Sequence, residues 1–372
     1  MRKTAFEKID YIMPLIIGGL LTFGLMVLYS ASTVQSFANF GNTSYYILHQ
    51  LLYGAGIGLV ALVICSKIDY HIWQKYLGFL IGLSLLLLLM VKIPGLGFES
   101  GGATRWLHIG AFTFQPAELA KLVIIIYLAS WVEKKKNHLH DFYSGVLPSL
   151  IIVGLFSALI LWQPDLGTML ILLLVAFFML FTAGIPWKYF FYSIISGSLA
   201  LYLLIRLEPY RVRRLTTFFN PAFDPKGISY QINQALLAIG SGSLFGFGYG
   251  LSRQKHYYLP EVINDSIFAV MAEELGFFRV IIVIFLFVLF AVKGAQIAKK
   301  APDMFGKMVA IGITSWIVLQ AAVNIGAMVN ILPLTGIPLP FFSYGSTALI
   351  ANLAAVGILL NISKHSGKVN SI

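Results

Sequence analysis

The sequence predicts an all-helical integral membrane protein with ten transmembrane helices and both termini on the cytoplasmic side. Of its 372 residues, 58% are hydrophobic and 11% are charged, and the mean hydropathy is +0.84. A soluble domain of this composition would lack the polar residues that its surface requires. Apolar runs close to the ~20 residues that a bilayer requires recur along the chain. Lysine and arginine collect in alternate short loops, which sets the orientation.

Polar or glycine- and proline-containing stretches separate the apolar runs. With a cytoplasmic N-terminus, more than half of the 26 lysines and arginines fall in cytoplasmic loops and tails, as the positive-inside rule requires. The basic residues ahead of the first run resemble the start of a signal peptide. The run is long, however, and no small-residue cleavage site follows, so we interpret it as an anchor. The predicted spans are 11–30, 45–65, 73–91, 115–132, 145–162, 166–183, 187–205, 267–292, 307–330 and 344–362.

The chain is predicted to form a single polytopic membrane domain over residues 1–372, in which most connections are short. Two outward-facing connections are longer. Residues 92–114 are rich in glycine, and residues 206–266 form a large extracytoplasmic loop with seven basic residues. Long loops in compact domains are usually functional. The net charge is +11, and most of the basic residues that produce it lie in the segments that flank the membrane spans. This distribution predicts contact with membrane lipid and argues against binding of nucleic acid.

Cysteine and histidine patterns indicate neither a disulfide nor a metal centre. Cys65 is the single cysteine, and it lies within an apolar run. The seven histidines show no spacing typical of metal ligands, and no P-loop or HExxH motif is present. We therefore predict no cofactor, with a divalent cation as the alternative.

Acidic residues occur at the mouth of an apolar run and inside it, in LPEVINDSIFAVMAEELGF at 259–277. Asp265 precedes the predicted helix, so capping of the helix N-terminus is one explanation. Glu273 and Glu274 lie roughly 12–14 Å further along the helix, too deep for capping. Acids inside a membrane helix usually face a protein interior or a wet cavity and are functional candidates. An ion pair with Arg279 or with a neighbouring helix is the structural alternative for both.

A second charged group lies where the fourth span begins, in GGATRWLHIGAFTFQPAELAKLV. Pro116 is predicted in the first helical turn, which places Glu118 and Lys121 three residues apart on one face. The pair either neutralises itself within the protein or lines an outward-facing wet cavity that handles an anion. Arg105 and Trp106 precede it as a cation and an aromatic residue at the membrane surface.

Three further segments carry candidate groups. Arg211, Arg213 and Arg214 follow the seventh span and fit either anionic lipid headgroups or a phosphate or pyrophosphate. Residues 240–250, GSGSLFGFGYG, are predicted to form a flexible loop. In GIPLPFFSYGST at 336–347 the prolines exclude a regular helix, and Ser343 offers a polar lining.

The chain resembles the SEDS family (shape, elongation, division and sporulation), which includes FtsW, RodA and SpoVE. The matches occur in the family's order over nearly the whole chain. SRQKHYYLPE and SYGSTALIANL are more similar to FtsW, a division protein, than to RodA, an elongation protein. The matching segments are GGATRWLHIGAFTFQPAELAKL, YRVRRLTTFFNP, DPKGISYQINQALLAIGSGSLFGFGYG, SRQKHYYLPEVINDSIFAVMAEELGF and PLPFFSYGSTALIANL.

The resemblance implies a ten-helix peptidoglycan glycosyltransferase at the outer face of the bacterial cytoplasmic membrane, at the division septum. It implies polymerisation of lipid II, with a class B penicillin-binding protein and other divisome proteins as partners. The family's essential acid falls on Asp265, although Asn264 and Ser266 differ from the usual Thr-Asp-Phe. The family's buried Glu/Lys pair falls on Glu118 and Lys121. A RodA-like elongation polymerase is the alternative within the family.

For this reaction, Asp265 is predicted to be the base that takes the proton of a sugar hydroxyl. Cations that stabilise the leaving pyrophosphate are predicted among Arg105, Lys121, Arg211, Arg213 and Arg214. An amphiphilic substrate also requires a groove that opens sideways to lipid. Two other functions fit the charges less well: a lipid II flippase, and a non-catalytic scaffold. Further substrate contacts are predicted at Glu118, Glu261, Glu273 and Ser343.

Overall fold

The computed structural model describes residues 11–100, 103–109, 112–193, 195, 197, 212, 216–219 and 228–365. Two segments of the described chain, Gln50–Gly56 and Phe142–Val146, are π-helical. The helices are α1 (Ile12–Phe40), α2 (Tyr45–His49), α3 (Ile57–Lys67), α4 (His71–Lys75), α5 (Leu77–Met90), α6 (Pro116–Lys134), α7 (Leu147–Trp162), α8 (Leu166–Thr182), α9 (Ile228–Gly242), α10 (Ile267–Lys300), α11 (Met304–Met328) and α12 (Ser346–His365).

Helices of the described residues occupy nine of the ten predicted spans, and most of the remaining span, 187–205, falls outside those residues. Six helices of the described part are long and apolar enough to cross a membrane, and α5 and α8 are shorter apolar helices. The predicted helical membrane architecture is therefore confirmed. The ten-helix count and the cytoplasmic location of both termini stay predictions.

The helix bundle has two ends, the Asp265 end and the opposite end, which holds Asp303. The Asp265 end holds α2 and the starts of α6, α8, α10 and α12. Side-chain hydrogen bonds join the starts of α6 and α8, the turn before α12 to the segment before α10 and to Gln50 after α2, and Thr347 of α12 to Thr113 before α6. At the opposite end, the Asp303 carboxylate accepts the N–H of Gly306 at 2.7 Å and so caps α11. Asp303 also accepts the hydroxyl of Tyr70. Burial, together with this carboxylate, raises the pKa of Tyr70 above its ordinary value.

α6 is a central helix even though it carries four charged side chains. It begins at Pro116, as predicted, and packs against α5, α8 and α11. Its residues from Ala120 to Ser130 are all buried. Asp165 caps α8, because its carboxylate accepts the N–H of Thr168 at 3.1 Å. The starts of α6 and α8 are joined by a contact of 3.3 Å from the Gln115 amide to Asp165.

The glycine-rich segment 92–114 forms a small antiparallel sheet ahead of α6. Its strands are β1 (Gly97–Ser100), β2 (Ala103–Ile109) and β3 (Phe112–Phe114), in the order β1-β2-β3. The register pairs Leu107 with Gly97 on one side and with Phe114 on the other. The sheet holds β2, and with it Arg105, at the Asp265 end.

The predicted large loop 206–266 contains helix α9, which the hydropathy pattern did not reveal. α9 is amphipathic: Ile232, Ala235 and Ala238 recur at helical spacing and are buried, and the helix packs against α10. This helix positions polar side chains of the loop beside the start of α10.

Candidate active site

Asp265 lies one residue before the N-cap of α10, where α9, α10 and α11 meet. Its carboxylate accepts hydrogen bonds from the Gln231 amide on α9, whose nitrogen is 3.3 Å from each oxygen. Its backbone carbonyl accepts the Asn324 amide of α11 at 2.8 Å. Ser266 occupies the capping position, so Asp265 is not the N-cap. With 8% of its surface exposed, Asp265 is held in place between the helices.

The turn between α11 and α12 packs directly against the residues before Asp265. The Ser343 hydroxyl donates to the carbonyl of Asn264 at 2.5 Å and accepts the N–H of Leu339 at 2.8 Å. The N–H of Tyr344 donates to the carbonyl of Ile263 at 2.8 Å. Ser343 thus positions the segment that carries Asp265, and its predicted contact with substrate stays a prediction.

Glu261 forms a tight turn that leads into α10. Its backbone lies in the left-handed region, with φ 52°. Its carbonyl accepts the N–H groups of Asn264 and Ser266 at 3.0 and 3.2 Å, and its carboxylate accepts the Asn264 amide at 2.6 Å. Because the Glu261 side chain is exposed, it is available for the predicted contact with substrate, which no contact in the structure tests.

Glu118 and Lys121 form a buried ion pair of 2.9 Å at the start of α6. The Lys121 ammonium also donates to the side-chain oxygen of Gln320 on α11 at 2.9 Å and lies 4.8 Å from the centre of the Trp316 ring. The Gln320 amide in turn donates to the carbonyl of Pro338 at 3.0 Å. Both charged side chains are at most 3% exposed. The geometry therefore matches the self-neutralising alternative and links α6 to α11.

Arg105 lies against the turn between α7 and α8. Its Nε donates to the carbonyl of Gln163 at 3.3 Å, and a terminal nitrogen donates to the carbonyl of Pro164. The guanidinium is thereby fixed beside the capping residue of α8. Arg211, Arg213 and Arg214 lie outside the described residues, so their predicted phosphate contacts stay predictions.

Glu273 holds the turn at residues 252–254, which follows segment 240–250. It is 1% exposed. Its carboxylate accepts the hydroxyl of Ser252 at 2.5 Å and the N–H groups of Arg253 and Gln254 at 3.0 and 3.3 Å. Several such donors stabilise a buried carboxylate that would otherwise be costly. These contacts give Glu273 a structural role, and its predicted substrate contact stays a prediction.

Glu274 makes an ion pair with a partner that the sequence did not indicate. The Lys255 ammonium lies 3.0 Å from the Glu274 carboxylate and also donates to the hydroxyl of Ser30 and the carbonyl of Gly250. The Ser30 hydroxyl donates to Glu274 at 2.6 Å. Arg279, the expected partner, instead donates to backbone carbonyls. The buried pair therefore ties α1, the loop and α10 together.

α10 is broken at Gly276, where φ is 72° and ψ is 176°. Residues 243–248 supply the hydrogen bonds that the helix loses, so we name them the clasp. Residues 243–250 form a loop as predicted, but the clasp within it is bonded to both sides of the break rather than free. Before the break, the N–H of Phe247 donates to the carbonyl of Glu273 at 3.1 Å, and that of Gly248 to Glu274 at 3.0 Å. After the break, the N–H of Phe277 donates to the carbonyl of Ser243 at 3.0 Å, and that of Phe278 to Leu244 at 3.2 Å.

Gly276→Ala is expected to destabilise the protein. A Cβ at this position would lie 2.2 Å from the backbone nitrogen of Gly246, and an alanine disfavours the positive φ. Such overpacking typically costs about 1–3 kcal/mol, so thermal unfolding in detergent should begin at a lower temperature. Gly240→Ala is the matched control, since nothing lies within 4 Å of its Cβ. Equal unfolding temperatures for the two variants would show that the clasp tolerates a side chain.

An apolar groove of about 440 Å³ lies between α3, α6 and α12. Tyr53, Phe114 and Thr347 place part of it near the Asp265 end, whereas the remaining residues extend along the three helices. This groove has the apolar lining that a lipid chain requires. The lining residues are Tyr53, Ile57, Phe114, Leu119, Leu122, Thr347, Ile350, Ala351 and Ala354.

The described residues contain no group of three or more histidine, cysteine, aspartate or glutamate side chains placed to hold a metal ion. Sequence reasoning missed three neutral amides that organise the site: Gln231, Gln320 and Asn324. A usable signal was present for two of them. Gln320 and Asn324 lie four residues apart inside a predicted apolar span, and buried amides in such positions require hydrogen-bond partners.

The model of the family described as "Cell cycle protein", which groups FtsW, RodA and SpoVE, matches residues 11–368. The chain is 40% identical over 365 residues to stage V sporulation protein E of Bacillus subtilis strain 168, covering 98% of this chain and 99% of that protein. It is 39% identical to a probable peptidoglycan glycosyltransferase FtsW of Geobacter sp. strain M18, covering 97% and 98%. A protein of the same name from Nitrosomonas europaea is 41% identical, covering 92% and 89%.

Two solved structures share the fold. A chain from a structure described as "Structural coordination of polymerization and crosslinking by a peptidoglycan synthase complex" has a TM-score of 0.80 and 26% identity, covering 97% of this chain and 99% of that one. The crystal structure of Thermus thermophilus rod shape determining protein RodA has a TM-score of 0.71 and 27% identity, covering 98% and 99%. With the family match over nearly its whole length, this multi-pass membrane protein belongs to the FtsW, RodA and SpoVE family.

Proposed function

We propose that the chain is an FtsW-like peptidoglycan glycosyltransferase that polymerises lipid II at the outer face of the cytoplasmic membrane during cell division. The observation that carries this proposal is the similarity to relatives named peptidoglycan glycosyltransferase FtsW, at 38–41% identity over nearly the full chain. The similar sporulation protein is named for a different role. The similarity in fold to a peptidoglycan synthase supports the same activity.

In the proposed reaction, the hydroxyl oxygen of one sugar forms a bond to the anomeric carbon of another. The bond from that carbon to the pyrophosphate oxygen breaks, and the lipid pyrophosphate leaves with the electron pair. Asp265 accepts the hydroxyl proton. A positioned base typically accelerates such a step about 10²–10⁴-fold.

The surroundings of Asp265 support this role. The Gln231 amide donates to both carboxylate oxygens and adds no charge that would quench a base. The Ser343 and Asn324 contacts fix the backbone carbonyls of Asn264 and Asp265, one on each side of the Asp265 Cα. A rigid, mostly buried carboxylate receives a proton from a bound hydroxyl with little competition from bulk water.

Positive charge is required where the pyrophosphate leaves. Of the cations predicted for this role, Arg105 is partly exposed and lies beside the start of α8, and we assign it to the pyrophosphate together with Arg211, Arg213 and Arg214. Lys121 is enclosed by Glu118, Gln320 and Trp316. We therefore assign to Lys121 the positioning of α6 rather than direct contact with substrate.

The lipid chain of the substrate needs an apolar path beside the reacting sugars. The apolar groove between α3, α6 and α12 is lined almost wholly by hydrocarbon and aromatic side chains. Its volume of about 440 Å³ suits part of a long chain, with the rest in the bilayer. We propose that the lipid of lipid II lies in this groove while its headgroup lies at the Asp265 end.

A class B penicillin-binding protein is the proposed partner, since crosslinking must follow polymerisation. The similarity to a chain of a peptidoglycan synthase complex that coordinates polymerisation and crosslinking supports such an assembly. Association with other divisome proteins and location at the septum belong to the same proposal.

Purified chain, reconstituted in liposomes with its penicillin-binding partner and fluorescent lipid II, tests the proposal. We expect glycan strands of increasing length that a muramidase digests. If lipid II crosses between leaflets without being joined, the flippase alternative is correct. If the well-folded complex neither transports nor joins lipid II, the scaffold alternative is favoured.

A further inference from the structure

A continuous row of aromatic rings lies at the Asp265 end. Successive ring centres are 3.6, 5.8, 5.1, 5.8 and 4.8 Å apart. The first two rings are stacked, with an interplanar angle of 17°. We name this set the aromatic row; in spatial order it consists of Phe40, Tyr45, Tyr46, Tyr344, His49 and Tyr53.

The aromatic row connects the two parts of the proposed active site. Tyr344 donates its N–H to the carbonyl of Ile263, two residues before Asp265, at 2.8 Å. At the other side, Tyr53 lines the apolar groove. The row therefore extends from the turn that packs on the Asp265 segment to the apolar groove, with Phe40 and Tyr45 leading away from both.

An uncommon backbone conformation holds the row in this position. The π-helix Gln50–Gly56 directly follows His49 and carries Tyr53. Single π-helical turns are rare and are often found at functional sites. The buried Gln50 side chain accepts the N–H of Gly345 at 3.2 Å, next to Tyr344. Gln50 thus fixes the register between α2, with its aromatic residues, and the turn that positions the Asp265 segment.

The chemistry of the row suits an uncharged ligand with alternating apolar and polar edges. Phe40, Tyr45 and Tyr53 are 49%, 40% and 37% exposed. The row contains no carboxylate, ammonium or guanidinium group, so it has no charge for a pyrophosphate or an acidic peptide. Tyrosine hydroxyls and an imidazole lie at the ring edges; one such pair, Tyr344 with His49, is 3.0 Å apart. Pyranose rings offer a C–H face for stacking, and hydroxyl and acetamido groups for these edges.

Anchoring at the membrane surface is a simpler role for exposed aromatic residues, but the arrangement differs from simple anchoring. Trp162 and Tyr143 lie on different elements at opposite ends of the bundle and are 59% and 78% exposed. Single rings of this kind suffice for anchoring. The aromatic row is instead contiguous, and hydrogen bonds of Tyr344 and Gln50 link it to the turn that packs on the Asp265 segment.

We propose that the aromatic row binds the N-acetylated sugars of the growing glycan strand and holds them beside Asp265 between successive additions. This inference rests on the proposed function and deepens it, because it assigns a site to the polymer rather than to lipid II. The ligand class is a chain of β-linked N-acetylhexosamines. The consequence is processivity: a strand retained on the row is extended further before it dissociates.

Direct binding tests the site without any enzymatic turnover. The full chain in nanodiscs is mixed with chitotetraose, a soluble oligomer of N-acetylglucosamine, and saturation-transfer NMR reports contact with the protein. We expect saturation transfer to the C–H protons with wild type, and roughly two- to tenfold weaker binding with Tyr45→Ala, as loss of one stacking contact predicts. Tyr45→Phe keeps the ring face and should bind more tightly than Tyr45→Ala. Phe98→Ala is the control, because this exposed ring lies on β1, outside the row.

Strand length gives the second readout. In the lipid II assay Tyr45→Ala should produce shorter strands than wild type, and Phe98→Ala should leave strand length unchanged. If Tyr45→Ala fails to fold, Phe40→Leu at the exposed end of the row replaces it. Chitotetraose binding that is unchanged in both Tyr45→Ala and Phe40→Leu would overturn the proposal. Reduced retention of these variants in the membrane, without any change in chitotetraose binding, would also overturn it. Wild-type chain that binds chitotetraose but does not polymerise lipid II would overturn the proposed function alone.

Discussion

Asp265→Asn is expected to lower the rate of lipid II polymerisation by about 10²–10⁴-fold, the usual contribution of a positioned general base. Asparagine has the same size and can keep the contacts of Gln231 at one oxygen, but it cannot take the proton of a sugar hydroxyl. The fold and the affinity for lipid II should therefore change little. The measurement is the initial rate of glycan formation from labelled lipid II by the complex with its penicillin-binding partner.

The matched control is Glu99→Gln, which neutralises an exposed carboxylate on β1 at the same end of the molecule. It should retain wild-type activity. A loss of activity in both variants would point to a general effect of negative charge at this end of the bundle. An Asp265→Asn variant with near wild-type rate would exclude Asp265 as the base.

Lys255→Met is expected to cause the second large effect, on stability. The Lys255 side chain is 6% exposed, and its ammonium lies 3.0 Å from the buried Glu274 carboxylate. Removing one partner of a buried ion pair leaves an uncompensated charge and typically costs about 3–5 kcal/mol. We expect a lower unfolding temperature in detergent and faster proteolysis of residues 243–266, because the pair ties this loop to α1 and α10.

The double variant Lys255→Met/Glu274→Gln should recover much of the lost stability, since it removes the stranded charge as well. Lys300→Met is the control, because Lys300 is exposed at the end of α10. If the single and double variants unfold alike, the pair does not carry the proposed stabilisation.

The candidate site was only partly predictable before folding. Asp265 was a candidate because it is an acidic residue at the start of a predicted membrane helix and because it matches the family's essential acid. Its setting was not predictable, because Gln231 lies 34 residues away and Asn324 lies 59 residues away. Nothing in the local sequence of an amide specifies which carboxylate or carbonyl it will contact. For Glu273 and Glu274 the sequence left a protein interior and a wet cavity open. It could not decide between them, since their donors come from a loop about twenty residues away.

By itself, the sequence determined the features that depend on neighbouring residues. Apolar runs of bilayer length specify the helices, Pro116 and Asp165 mark the starts of α6 and α8, and the three-residue spacing of Glu118 and Lys121 permits their ion pair. Tertiary structure alone decided that Glu274 pairs with Lys255, that the clasp bonds a helix broken at Gly276, and that the aromatic row meets the Asp265 segment. The reason is that helix propensity and spacing act within a few turns, whereas the partner of a buried polar group is set by which distant segments pack together.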